Sequence, residues 1–174
     1  MGHGLEVKFA GGGSLRCDGA EIGGYASLFG VPDQGGDIVA AGAFSASLAR
    51  LAARGERVRM LWQHDPARPV GVWDEVCEDA TGLRVRGRLL PEIGLAREAA
   101  ALIEAGAMDG LSIGYRTLRA GKDGKGRRVL REVALWEVSL VTFPMLPGAR
   151  LAAKQEDDRE VAAALMAATA ALRG

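Results

Sequence analysis

The feature that most restricts this chain is a period-two hydrophobic alternation, repeated in short runs that end at glycine, proline or aspartate. Val58, Met60 and Trp62 make one run, and Leu83, Val85, Gly87 and Leu89 make another. Successive side chains of a strand point to opposite faces, so this pattern describes strands with one buried face. Strands are expected at Leu5–Phe9, Ile22–Phe29, Asp37–Val39, Arg57–Trp62, Val70–Val76, Leu83–Leu89, Leu111–Leu118 and Val129–Phe143. The glycines, 25 of 174 residues, lie between these runs instead of forming one linker. "GVPDQGGD", "EDATG" and "AGKDGKGRR" read as turns, the last as an exposed charged hairpin loop. "QHDPARP" reads as a polar turn with two prolines.

Two segments break the alternation. In "GAFSASLARLAARG", Phe44, Leu48 and Leu51 fall at helical spacing and Gly55 supplies a stop. From Ile93 to Ala105 the apolar face is Ile93, Ala96, Ala99 and Ile103, ended by Gly106. The fold class that follows is α+β, mainly antiparallel β, a small sheet or barrel domain with flanking helices. Regular β-α-β alternation is missing, which argues against a nucleotide-binding parallel sheet. "GGGSLRC" lacks the lysine and spacing of a phosphate loop. The domain is expected over residues 1–150. Residues 151–174 read as a polar linker, "KQEDDRE", and an alanine-rich helix.

Charge and cysteine content narrow the function. Lys+Arg and Asp+Glu are both 22, so bulk charge gives no basis for binding nucleic acid. Near-zero net charge permits association, and a homo-oligomer such as a dimer is expected. Cys17 and Cys77 make neither a metal cluster nor a disulfide framework, so no metal or other cofactor is expected. No run of 18 apolar residues and no charged-then-apolar leader is present, so a membrane or secreted role is not expected.

What chemistry remains rests on few groups. His3 stands in a frayed start, whereas His64 follows the apolar run ending at Trp62 and precedes a proline turn. Taken alone, it is more often a surface histidine beside Asp65. Ser112, in "DGLSIGY", alternates with Leu111, Ile113 and Tyr115, and Gly114 leaves its face bare for another backbone to approach. A lone strand serine is more often structural than nucleophilic. A hydroxyl becomes a useful nucleophile when a base takes its proton, and the base needs a third group to fix its tautomer. Candidates are Glu132, Glu137, Asp65, Asp74 and Asp109. Glu137 interrupts the apolar run from Val133 to Phe143, in which Ser139 is the other polar residue. A hairpin centred on "GKDGKG" sets Ser112 opposite Leu135, with Leu135 and Glu137 on its face. A slip of one residue favours Glu132. The cationic loop 119–128 reads as a solvated hairpin tip.

Four ordered blocks together resemble the prohead (capsid maturation) serine proteases of tailed phages. They are "GYASLFGVPDQGGDIVAAGAFSASL", "MLWQHDPARPVGVWDEVCEDATGLRVRGRL", "GLSIGY" and "LWEVSLVTFPMLPGA", spread over roughly residues 20–150. The second block also resembles the histidine region of the herpesvirus capsid protease, assemblin, so the resemblance implies an assemblin-like fold. It further implies a serine endopeptidase inside the procapsid in the bacterial host cytoplasm. Its substrates would be the scaffold segment of the major capsid protein, and often itself, and the chain would be capsid-associated. The family serine falls on Ser112 and the family histidine on His64. The acidic member is carried to Glu137, with Glu132 as runner-up. The stretch matching the oxyanion arginine region is "TFPMLPGAR", where proline has no N–H to give. Rival readings are a non-enzymatic internal scaffold of the same fold and a small esterase.

Overall fold

A computed structural model describes residues 21–142 throughout, together with the backbone of residues 6–9 and 16–18. The described strands form one sheet of nine: β1 (Glu6–Phe9), β2 (Arg16–Asp18), β3 (Glu21–Leu28), β4 (Ile38–Val39), β5 (Arg59–Trp62), β6 (Asp65–Glu78), β7 (Gly82–Leu89), β8 (Gly110–Lys122) and β9 (Arg128–Val141). Their order is β1-β8-β9-β5-β6-β7-β3-β2, with β4 beside β9. The sheet curls until β3 contacts β8. Two helices flank it, α1 (Ser45–Ala53) and α2 (Gly94–Glu104). This is the α+β, mainly antiparallel architecture expected from the alternation. Among the described residues no helix is long and apolar enough to cross a membrane.

The alternation buries the residues it selects. Leu83, Val85 and Leu89 of β7 enter the core, as do Val58 and Met60 beside them. Ala96, Ala99 and Ile103 place one face of α2 on the same core. Burying a side chain such as Leu or Ile contributes roughly 1.5–3 kcal/mol. α1 lays Leu48 and Leu51 against the core, and its buried Ser47 accepts the Leu135 N–H at 2.9 Å. The buried Trp73 indole donates to the Val138 carbonyl at 3.2 Å, tying β6 to β9.

Within this mainly antiparallel sheet β5 and β4 both run parallel to β9. Two expectations change. "QHDPARP" is not one turn. Gln63 and His64 alone connect β5 to β6, which already pairs at Trp62↔Asp65 and resumes at Leu61↔Pro69. Residues 66–68 bulge outward between those pairs. An exposed bulge is a place where a strand tolerates proline. The β8–β9 register also differs, since Ser112 stands opposite Ser139 and not Leu135. The hairpin turn is centred on Lys125, where Asp123 Oδ1 accepts the N–H groups of Lys125 (2.8 Å) and Arg127 (2.9 Å). Trp136, skipped between the pairs Gly114↔Glu137 and Tyr115↔Leu135, adds a further shift. Leu135 therefore faces Tyr115, and both are in the core. The strand end at Phe143, the linker and the C-terminal helix lie outside the described residues.

Candidate active site

Three adjacent strands bring the candidate residues together. β9 is flanked by β8 on one side and β5 on the other, so Ser112 of β8, Glu137 and Ser139 of β9, and the second residue past β5 become neighbours. That last residue is His64. The turn holding it has positive φ at both positions, 51° at Gln63 and 62° at His64. Two-residue hairpin turns need this left-handed backbone, normally supplied by Asn-Gly. Here the surroundings stabilise it instead. The Gln63 N–H donates to the Leu140 carbonyl at 3.0 Å, and the Gln63 side-chain amide to Thr142 Oγ1 at 2.6 Å. The His64 N–H donates to Ser139 Oγ at 3.1 Å.

The imidazole lies between a hydroxyl and a carboxylate. His64 Nε2 is 2.7 Å from Ser112 Oγ, and Nδ1 is 2.6 Å from Glu137 Oε1. A carboxylate only accepts, so the proton sits on Nδ1 and leaves Nε2 to accept from the serine hydroxyl. The second oxygen, Glu137 Oε2, accepts from Ser139 Oγ at 2.6 Å. Ser139 thus bridges the carboxylate and the His64 backbone. Ser112, Ser139 and Glu137 are buried, and the His64 side chain is 16% exposed. Charged hydrogen bonds in such a shielded place are stronger than in water.

Gly114 pairs with Glu137 across the ladder. A Cβ at 114 would overlap Glu137 Oε1 and stand 2.7 Å from its Cδ. The bare position beside Ser112 is therefore filled by a carboxylate, and not by an approaching backbone.

The other carboxylates serve elsewhere. Glu132 pairs with Arg119 across the ladder and faces the Arg50 guanidinium at 3.6 Å. Asp65 Oδ1 accepts the Ala67 N–H, and Asp74 pairs with Arg88 at 2.8 Å. Asp109 is half-buried next to the start of β8. In the hairpin loop, Arg127 pairs with Asp123 and Arg128 with Asp37, so two of its cations are partnered locally. His3 and residues 143–150, which hold most of the candidate oxyanion stretch, lie outside the described residues. Among the described residues no group of three or more His, Cys, Asp or Glu side chains is placed to hold a metal ion.

Two features escaped the sequence reading. Ser139 was visible as a polar interruption in β9, but the hydrogen bond it accepts from the His64 N–H, beside the one it donates to Glu137, depends on the β5–β9 register. The Gln63–His64 turn carries no Asn or Gly that would have marked it.

Comparison with known proteins gives this arrangement a context. The chain is 36% identical over 159 residues to the prohead protease of Enterobacteria phage HK97, covering 88% of this chain and 66% of that one. It thus spans just under two thirds of that relative's length. Its fold is also that of the capsid assembly protease of bacteriophage T4, with a TM-score of 0.63 at 14% identity, over 80% of this chain and 99% of the other. The profile of the caudovirus prohead serine proteases matches residues 13–163, and with most of its length inside that match the chain belongs to this family.

Proposed function

We propose that this chain is a serine endopeptidase of prohead maturation, with Ser112 as nucleophile, His64 as general base and Glu137 as the group that orients the base. The observation that carries the reading is the continuous line Ser112 Oγ–His64–Glu137, with contacts of 2.7 and 2.6 Å. Ser112 Oγ attacks the scissile carbonyl while His64 Nε2 takes its proton. The imidazolium formed is stabilised by Glu137 and returns the proton to the leaving amine. Water, deprotonated by the same nitrogen, then releases the acyl group from Ser112. Glu137 is favoured over Glu132, which is turned to Arg50.

The substrate proposed is the N-terminal scaffold segment of the major capsid protein, and the chain itself where it is processed. The work is done inside the procapsid in the host cytoplasm, with the chain associated with capsid or with its own copies. Family membership supports the capsid role, and the site supports the hydrolytic one. The test is co-expression with the capsid protein. Wild type shortens the capsid protein, and Ser112→Ala and His64→Ala each slow the cut by at least about 10³-fold. An intact capsid protein beside folded wild type overturns the reading. Processing that survives Ser112→Ala returns the chain to a non-enzymatic scaffold.

A further inference from the structure

Ser112 has no solvent-exposed surface. A nucleophile in that state meets no peptide carbonyl until something beside it moves. On one side of β8 lies β9, central and paired along its whole length. On the other side lies β1, the outermost strand, held by four pairs: Glu6↔Tyr115, Val7↔Gly114, Lys8↔Ile113 and Phe9↔Ser112. The exchangeable neighbour of the nucleophile is therefore β1. It also precedes residue 13, where the family match begins.

An edge of this kind offers a row of backbone N–H and C=O groups, and an extended peptide is the ligand that satisfies them. We propose that the β8 edge at Ser112–Tyr115 is where a substrate main chain adds as an antiparallel strand, and that β1 is an internal occupant the substrate has to replace. The proposal rests on Ser112 as the nucleophile. It identifies the ligand by its backbone: an unfolded segment able to extend over at least four residues with its scissile bond at Ser112. A folded protein with no free strand is not a substrate. A tethered occupant acts at an effective concentration in the millimolar range, so an occupant whose own strand affinity is about 1–10 μM weakens any competitor by roughly 10²–10³-fold.

The test is a binding measurement that needs no catalysis. A fluorescent peptide of residues 4–12, GLEVKFAGG, is titrated into Ser112→Ala in three forms: full-length, starting at residue 13, and full-length with Val7→Pro or Lys8→Pro. N–H groups alternate along a strand, so one of the two prolines removes a donor that faces β8. The shortened chain is expected to bind at least tenfold more tightly than the full-length chain, and one proline variant to recover part of that gain. If the shortened chain loses its near-ultraviolet dichroism, the proline variants alone decide. Equal binding by all forms, or none by any, overturns the proposal. Loss of capsid cleavage in Ser112→Ala is read separately, so the protease reading and this one fail independently.

Discussion

Across the ladder from Glu137 the space for a side chain at Gly114 is taken by the carboxylate itself. Gly114→Ala forces one of the two to move, and the flexible one is Glu137. The expected result is a fall in kcat approaching about 10⁴-fold, the loss seen when a triad acid no longer holds its histidine. The fold is expected to persist at a cost of about 1–3 kcal/mol, as for other overpacked sites. Steady-state kinetics on a peptide spanning the cut, together with a denaturant melt, separate the two. Unchanged kcat in a folded Gly114→Ala denies Glu137 its orienting part. Ser139 acts one step further out, through Glu137 Oε2 and the His64 N–H. Under the proposed mechanism it is a positioning residue. Ser139→Ala is expected to lower kcat about tenfold, roughly 1.4 kcal/mol, with KM unchanged. Ser139→Thr, which keeps the hydroxyl, is expected to recover most of it. Active-site titration corrects for any unfolded fraction, and equal kcat per titrated site in the alanine and threonine variants contradicts the assignment.

Elements were legible where a local pattern decides them, and less so where several patterns compete. α2 was read to within a residue of each end because its apolar face and closing glycine agree. The partners of Ser112 were not. The hairpin turn is centred on Lys125 and not on the middle of "GKDGKG", and a skipped Trp136 then shifts the ladder again, and neither effect has a signature in the alternation. Ser112 and Glu137 are still brought close because they belong to neighbouring strands under either register. The Gln63–His64 turn was hidden for the opposite reason. Tertiary bonds hold a left-handed backbone there that local sequence would not choose. Asp123 gives the hairpin a pH signature. The Arg127 N–H, followed by its guanidinium and the Lys125 N–H, holds this carboxyl below the usual aspartate range. A lowered folded value means the contribution is complete above the unfolded value, about 3.9, and is lost as pH falls through the folded one. The Lys125 and Arg127 amide resonances are expected to titrate together with a midpoint below that value, and Asp123→Ala to abolish the titration. A midpoint at or above it would show that the turn does not depend on the ionised carboxyl.

At the scale of the whole molecule, the site and the core depend on the same strand. β9 pairs with β8, β5 and β4, supplies Glu137 and Ser139, and sends Leu130, Val133, Leu135, Val138 and Leu140 into the core. His64 lies 48 residues from Ser112 and 73 from Glu137, so no local segment can assemble the site before the sheet closes. Among the described residues the core cluster runs from Ile22 to Leu140. The polar run and alanine-rich sequence of residues 151–174 set them apart from that core in composition, although the family match continues to residue 163. A chain ending at residue 150 is therefore expected to unfold within about 2–4 °C of the full chain, a shift worth no more than roughly 1 kcal/mol. Leu135→Ala, a core deletion on β9, is expected to cost about 2–5 kcal/mol and to lower the melting temperature several times further. The comparison is made by thermal melts at equal protein concentration, because association would otherwise raise the longer chain's midpoint. A shortened chain that melts as early as Leu135→Ala would mean that the terminal segment packs on the domain as part of its core. The boundary at residue 150 would then be wrong.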